Sequence, residues 1–143
     1  MPSTRGFTLL ELLIVITIVA LMSTLVGVNL VGREPADLES VARTLITDLR
    51  YVRSRALIGN IDTAITFDIA DNTYASREAK IERSLPKTLQ MKLTVDRRDI
   101  DDTRGQIVFY PNGSSSGGEI SLSRDGRIME IATSWVNGYV ELR

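Results

Sequence analysis

The chain has 143 residues, with 17 Lys or Arg against 18 Asp or Glu, no Cys and no His. That length leaves room for one domain beside a short anchor, and the near-zero charge balance excludes a strong field for nucleic acid or anionic lipid. Without His, the commonest general base, the commonest metal ligand and every Ser-His or Cys-His nucleophile arrangement are excluded; without Cys, the folded part must stand on its core alone.

Glu11 is the one charge in the stretch from Phe7 to Gly32. A carboxylate inside a membrane-spanning helix costs at worst about 2.5–3.5 kcal/mol, so it calls for a partner. The charge-free run from Leu12 to Gly32 would span roughly 30 Å as a helix, the thickness of a bilayer core. It is longer than the core of a secretory signal and no Ala-x-Ala site follows it. Arg5 precedes the run, whereas Arg33 and Glu34 follow it and nearly cancel. The positive-inside bias therefore keeps the N-terminus cytoplasmic.

The segment Gly6-Phe7-Thr8-Leu9-Leu10-Glu11 resembles the signal of type IV pilins and type II secretion pseudopilins. The resemblance implies cleavage between Gly6 and Phe7 by a prepilin peptidase and N-methylation of Phe7. It also implies that Glu11 pairs with the N-terminal amine of a neighbouring subunit during assembly. Residues 1–6 are then a leader and 7–32 a transmembrane and assembly helix.

Gly32-Arg33-Glu34-Pro35 reads as a break, because proline fixes φ and disfavours helix at the residue before it. From Ala36 onward Leu38, Val41, Ala42, Leu45, Leu49, Val52 and Ala56 recur at spacings of three and four. That is one apolar stripe of an amphipathic helix, placed over 33–59, with Arg43, Asp48, Arg50 and Arg53 largely off the stripe. Gly59-Asn60 reads as its stop.

The period then changes to two. Ile65, Phe67 and Ile69 alternate with polar or small neighbours, and Asp71-Asn72 predicts a turn returning through 73–76. Met91, Leu93 and Val95 predict a further strand. Residues 107–110 are apolar on both sides, as a central strand would be. Asp125-Gly126 predicts a two-residue hairpin between a strand at 119–123 and one at 127–133. Asn137-Gly138 precedes a last strand with Val140 and Leu142. The expected fold is α+β: a long N-terminal helix packed on an antiparallel, sandwich-like β domain over 60–143.

The segment from Ile107 to Gly118, Ile-Val-Phe-Tyr-Pro-Asn-Gly-Ser-Ser-Ser-Gly-Gly, is similar to the C-terminal signature of the GspH/FimT family. An Asp-Gly hairpin and a Gly-Tyr-Val ending follow it. The Gly-Ser-Ser-Ser-Gly-Gly wording favours the GspH branch of type II secretion. DNA-binding FimT-like minor pilins carry a basic cluster near the C-terminus, where this chain has Gly138-Tyr139-Val140-Glu141-Leu142-Arg143. Arg50, Arg53 and Arg55 are its densest basic group.

Other features read as ordinary surface. The 113–118 loop lacks the Gly-Lys-Ser/Thr of a phosphate cradle and reads as a flexible turn. Asp96, Asp99, Asp101 and Asp102 interleave with Arg97, Arg98 and Arg104, so a solvated charged loop is favoured over a calcium site. Trp135 is expected to pack at a sheet edge; left exposed, it would be a candidate interface anchor. The resemblance implies a structural minor pseudopilin without catalytic residues, cofactor or metal. It would be a single-pass inner-membrane protein of a Gram-negative bacterium, with its C-terminal domain in the periplasm. Its implied partners are other minor and major pseudopilins, the inner-membrane secretion platform and the peptidase. The rival role is that of a FimT-like minor pilin in DNA uptake.

Overall fold

The computed structural model of the chain describes residues 9–27, 37–95, 100, 101 and 103–143. The chain divides into two units, Met1–Glu34 and Pro35–Arg143. In the first, helix α1 runs over Leu9–Gly27. The second opens with helix α2, Leu38–Gly59, followed by nine strands: β1 Thr63–Asp68, β2 Thr73–Ser76, β3 Ile81–Ser84, β4 Gln90–Thr94, β5 Ile100–Asp101, β6 Arg104–Phe109, β7 Gly118–Arg124, β8 Arg127–Thr133 and β9 Val140–Leu142. They form a five-stranded sheet ordered β3-β2-β1-β6-β5 and a four-stranded sheet ordered β4-β7-β8-β9. Every pairing is antiparallel.

Helix α2 buries the stripe that its spacing predicts. Leu38, Ala42, Leu45, Leu49, Val52 and Ala56 are almost fully enclosed. They share one core with Ile65 and Phe67 of β1, Ile107 and Phe109 of β6, and Ile120, Leu122 and Ile131 of β7 and β8. The helix thus packs on strands of both sheets. Each enclosed Leu or Val stabilises by about 1.5–3 kcal/mol relative to exposure. The helix begins at Leu38, where the Asp37 carbonyl accepts from Val41 N–H at 3.1 Å. It ends at Asn60, which adopts a left-handed conformation and donates its N–H to the Ala56 carbonyl. Positions 33–36, including Pro35, lie outside the described residues, as does most of the charged loop, Asp96, Arg97, Arg98, Asp99 and Asp102.

Asp48 departs from its expected place off the stripe: it is buried. The cause is a polar partner in the core. Tyr74 donates its hydroxyl to Asp48 Oδ2 at 2.8 Å, and Arg83 Nε donates to the same oxygen at 3.2 Å. Burial, reinforced by the Asp48 hydrogen bond, pushes the Tyr74 hydroxyl far above its ordinary value, so it stays a donor. A buried carboxylate without such donors would be strongly destabilising.

The Gly113–Gly118 segment is not a flexible turn. It is a tightly bonded crossing from β6 of one sheet to β7 of the other. Ser115 bridges to Phe109, donates its N–H to the Trp135 carbonyl at 3.1 Å and its hydroxyl to the Ser134 carbonyl at 2.9 Å. Ser116 N–H donates to the Val108 carbonyl at 2.8 Å, and Val108 N–H donates to the Ser116 hydroxyl at 3.1 Å. Residues 107–110 therefore have only one face in the core, with Ile107 and Phe109 buried and Val108 half-buried. Trp135 is likewise not packed away; it is 71% exposed.

The hairpin at Asp125-Gly126 forms as expected, with φ of 51° and 78°. Positive φ at both central residues gives the type I′ turn that matches strand twist. Strands β3 and β5 go beyond the sequence reading. Both are short edge strands, and β3 carries Ile81 as its only apolar residue.

Two predictions follow from this packing. Gly138 has φ 64°, and a Cβ there would sit 2.6 Å from the Gly113 carbonyl oxygen. Gly138→Ala should destabilise the fold by about 1–3 kcal/mol, read from denaturant midpoints; an unchanged midpoint would contradict the close approach. Asp68 faces Arg104 across β1 and β6. The Arg104 hydrogen bond, at 2.7 Å, and then the Asp71 N–H hold its carboxyl below the usual carboxylate range. Its stabilisation is present above the unfolded-state value and is lost as pH falls through the lower folded-state value. Asp68→Asn should therefore flatten the acid limb of stability against pH while changing nothing of its alkaline limb.

Candidate assembly site

Gly6 and Phe7, the residues of the expected processing junction, lie outside the described residues. Glu11 is described, in the first turn of α1. A carboxylate there meets the positive end of the helix dipole. Between Leu9 and Ala20 every side chain of α1 is exposed, including Leu9, Leu12, Leu13, Ile16 and Val19. The helix is apolar on all faces, whereas a helix on the surface of a folded domain is apolar on one. Such a helix needs an apolar surrounding: hydrocarbon, or the helices of other chains. Thr17 does not interrupt this, because its hydroxyl donates to the Leu13 carbonyl at 2.6 Å. Among the described residues no helix is long and apolar enough to cross a membrane; in the sequence the charge-free run continues to Gly32, beyond them.

In the second unit the basic group of α2 is engaged by the C-terminal strand. Arg50 Nη2 donates to the Val140 carbonyl at 3.1 Å. The Arg53 guanidinium lies 5.2 Å over the Tyr139 ring, a cation–π contact. Arg55 stays exposed. These contacts place α2 against one margin of β9, the edge strand of its sheet, and spend the Arg50 donor on it. Sequence spacing gave the three arginines as a group; the contacts of Arg50 and Arg53 depend on where residues 139 and 140 lie, which the spacing does not fix.

No group of acidic residues among the described residues is arranged to hold a metal ion. Asp101 lies on β5, and Arg104 is on β6 with Asp68 as partner.

Three comparisons bear on this arrangement. Residues 1–27 match the prokaryotic N-terminal methylation motif, and residues 41–137 match the family described as type II transport protein GspH. The chain is 28% identical over 138 residues to the Type II secretion system protein H of Xanthomonas campestris pv. campestris, covering 95% of this chain and 81% of that protein. Its fold is similar to the minor pseudopilin EpsH from the Type 2 Secretion System of Vibrio cholerae, with TM-score 0.59 at 12% identity over 77% of this chain and 97% of that one. It is also similar to the type IV minor pilin FimU of Pseudomonas aeruginosa, with TM-score 0.54 at 18% identity over 74% of this chain and 87% of that one. At those identities the structural likeness speaks for the fold alone; the family rests on the match over residues 41–137. The chain belongs to the type II transport protein GspH family.

Proposed function

We propose that the chain is inserted into a type II secretion pseudopilus through its N-terminal helix and works there as a structural subunit, not as an enzyme. The observation that carries this reading is α1 itself. It is apolar on every face and holds one carboxylate, Glu11, in its first turn. Prepilin peptidase removes residues 1–6, and Phe7 becomes the methylated N-terminus. Residues 7–32 anchor the chain in the inner membrane with a single pass, and 33–143 lie in the periplasm. Glu11 pairs with the Phe7 amine of a neighbouring pseudopilin, which removes most of the desolvation cost of either charge alone. Other minor and major pseudopilins and the inner-membrane platform are the partners.

A role in DNA uptake would need clustered cations free to release counterions. Arg50 is instead bonded to Val140 and Arg53 stacked on Tyr139, and Glu141 stands in the C-terminal strand. Both observations weigh against that role.

Mass spectrometry of the mature protein should find N-methylated Phe7 at its terminus, and Gly6→Val should leave the leader attached. A mature chain that still begins at Met1 would overturn the processing reading. Glu11→Ala should leave the unfolding transition of the second unit unchanged and reduce incorporation into the pseudopilus. Normal incorporation of both Glu11→Ala and Glu11→Leu would remove the pairing role.

A further inference from the structure

Trp135 is the only tryptophan of the chain, and its side chain is 71% exposed. It is held in that exposed place by an unusual amount of structure. Its carbonyl accepts the Ser115 N–H, and the turn after it is closed by Gly138 N–H to the Ser134 carbonyl at 2.8 Å and Ser134 N–H to the Tyr139 carbonyl at 2.9 Å. Asn137 Oδ1 accepts the Tyr139 N–H at 3.1 Å. Gly117 has φ 77°, and a Cβ there would stand 3.1 Å from the Trp135 Cβ. Tyr139, itself 59% exposed, is stiffened by the guanidinium of Arg53. Exposed aromatics are left to solvent at a cost, and rigid ones lose little entropy on binding.

Trp135 also forms a wall of two open clefts. One, of about 420 Å³, is lined by Thr133, Asn137, Tyr139, Glu141 and Arg143. The other, of about 560 Å³, is lined by Thr94, Ser115, Ser116 and Thr133. Both clefts are open to solvent rather than enclosed. Trp135 thus borders two clefts of its own chain. Thr133 belongs to both clefts, and its buried hydroxyl oxygen has no hydrogen-bond partner among the described residues.

The chemistry of the walls selects the ligand. Aromatic faces are electron-rich and attract the polarised C–H groups on one face of a sugar ring. Planar amide, carboxylate and guanidinium groups can each hold neighbouring hydroxyls through paired hydrogen bonds. Asn137, Glu141 and Arg143 supply one of each beside Trp135 and Tyr139. A charged small molecule would meet both Glu141 and Arg143, so a neutral polyhydroxylated chain fits best. We propose that the two clefts form one glycan-binding site in which Trp135 is the stacking surface for pyranose rings.

The single tryptophan makes the test direct. The full chain, in a zwitterionic detergent free of sugar, is titrated with a β-1,4-linked N-acetylglucosamine tetraose, with cellohexaose and with maltohexaose. At least one should shift or quench the Trp135 emission saturably. Calorimetry should show that binding lost by at least about tenfold in Trp135→Ala, with part retained in Trp135→Phe. Because the side chain is exposed, both variants should keep the wild-type unfolding midpoint. No change of emission with any of the three up to about 10 mM, or equal affinity in Trp135→Ala, would overturn the proposal. So would an emission change that appears only when another pseudopilin is added, which would assign Trp135 to a protein contact.

Discussion

The burial of one helix stripe against two sheets is the interaction on which the second unit depends. Leu45, Leu49, Val52 and Ala56 are fully enclosed, with strands of both sheets sharing the same core. The four-stranded sheet places Met91, Leu93, Ile120, Leu122, Ile131 and Val140 in that core. No disulfide links the strands to α2. Truncating any of the enclosed leucines would remove the transfer gain and leave a cavity, a combined loss of about 2–5 kcal/mol.

The polar contacts are arranged around that core. Asp48 sits at the helix face where Tyr74 and Arg83 can reach it, so a buried carboxylate fixes the position of the β2–β3 hairpin. The side chain of Arg83 is about half exposed, so solvent screens its part of the pairing and the Tyr74 hydroxyl carries more of it. The family signature acts in the same way at the other end. Its serines and glycines let the backbone cross between sheets while keeping hydrogen bonds to Val108, Ser134 and Trp135. Its function is therefore first structural: it positions the Trp135–Tyr139 turn.

Much of this was legible in the residues. The three-and-four spacing gave α2, and the alternation of Ile65 with Phe67 and of Met91 with Leu93 gave β1 and β4. Asp125-Gly126 gave the β7–β8 hairpin, and the signature gave the family. What was not legible depended on long-range contacts. Asp48 looked like a surface residue because its partners lie 26 and 35 positions away. The serine-rich loop looked flexible because its hydrogen bonds close onto strands remote in sequence. Strand β3 had no alternation to read, since three of its four residues are exposed. Trp135 was expected to pack at a sheet edge because large aromatics usually bury most of their area.

The chain thus places two tasks on two segments. α1 offers an apolar surface with a carboxylate in its first turn, on which the proposed assembly role rests. The second unit contains its own core and presents a rigid aromatic turn. Amide hydrogen exchange on the full chain under increasing denaturant tests this account most directly. The buried face of α2, from Val41 to Ala56, should release its amides together with β1, β6, β7 and β8, at the free energy of global unfolding. Release of the α2 amides well before those strands would contradict the claim that one helix holds both sheets.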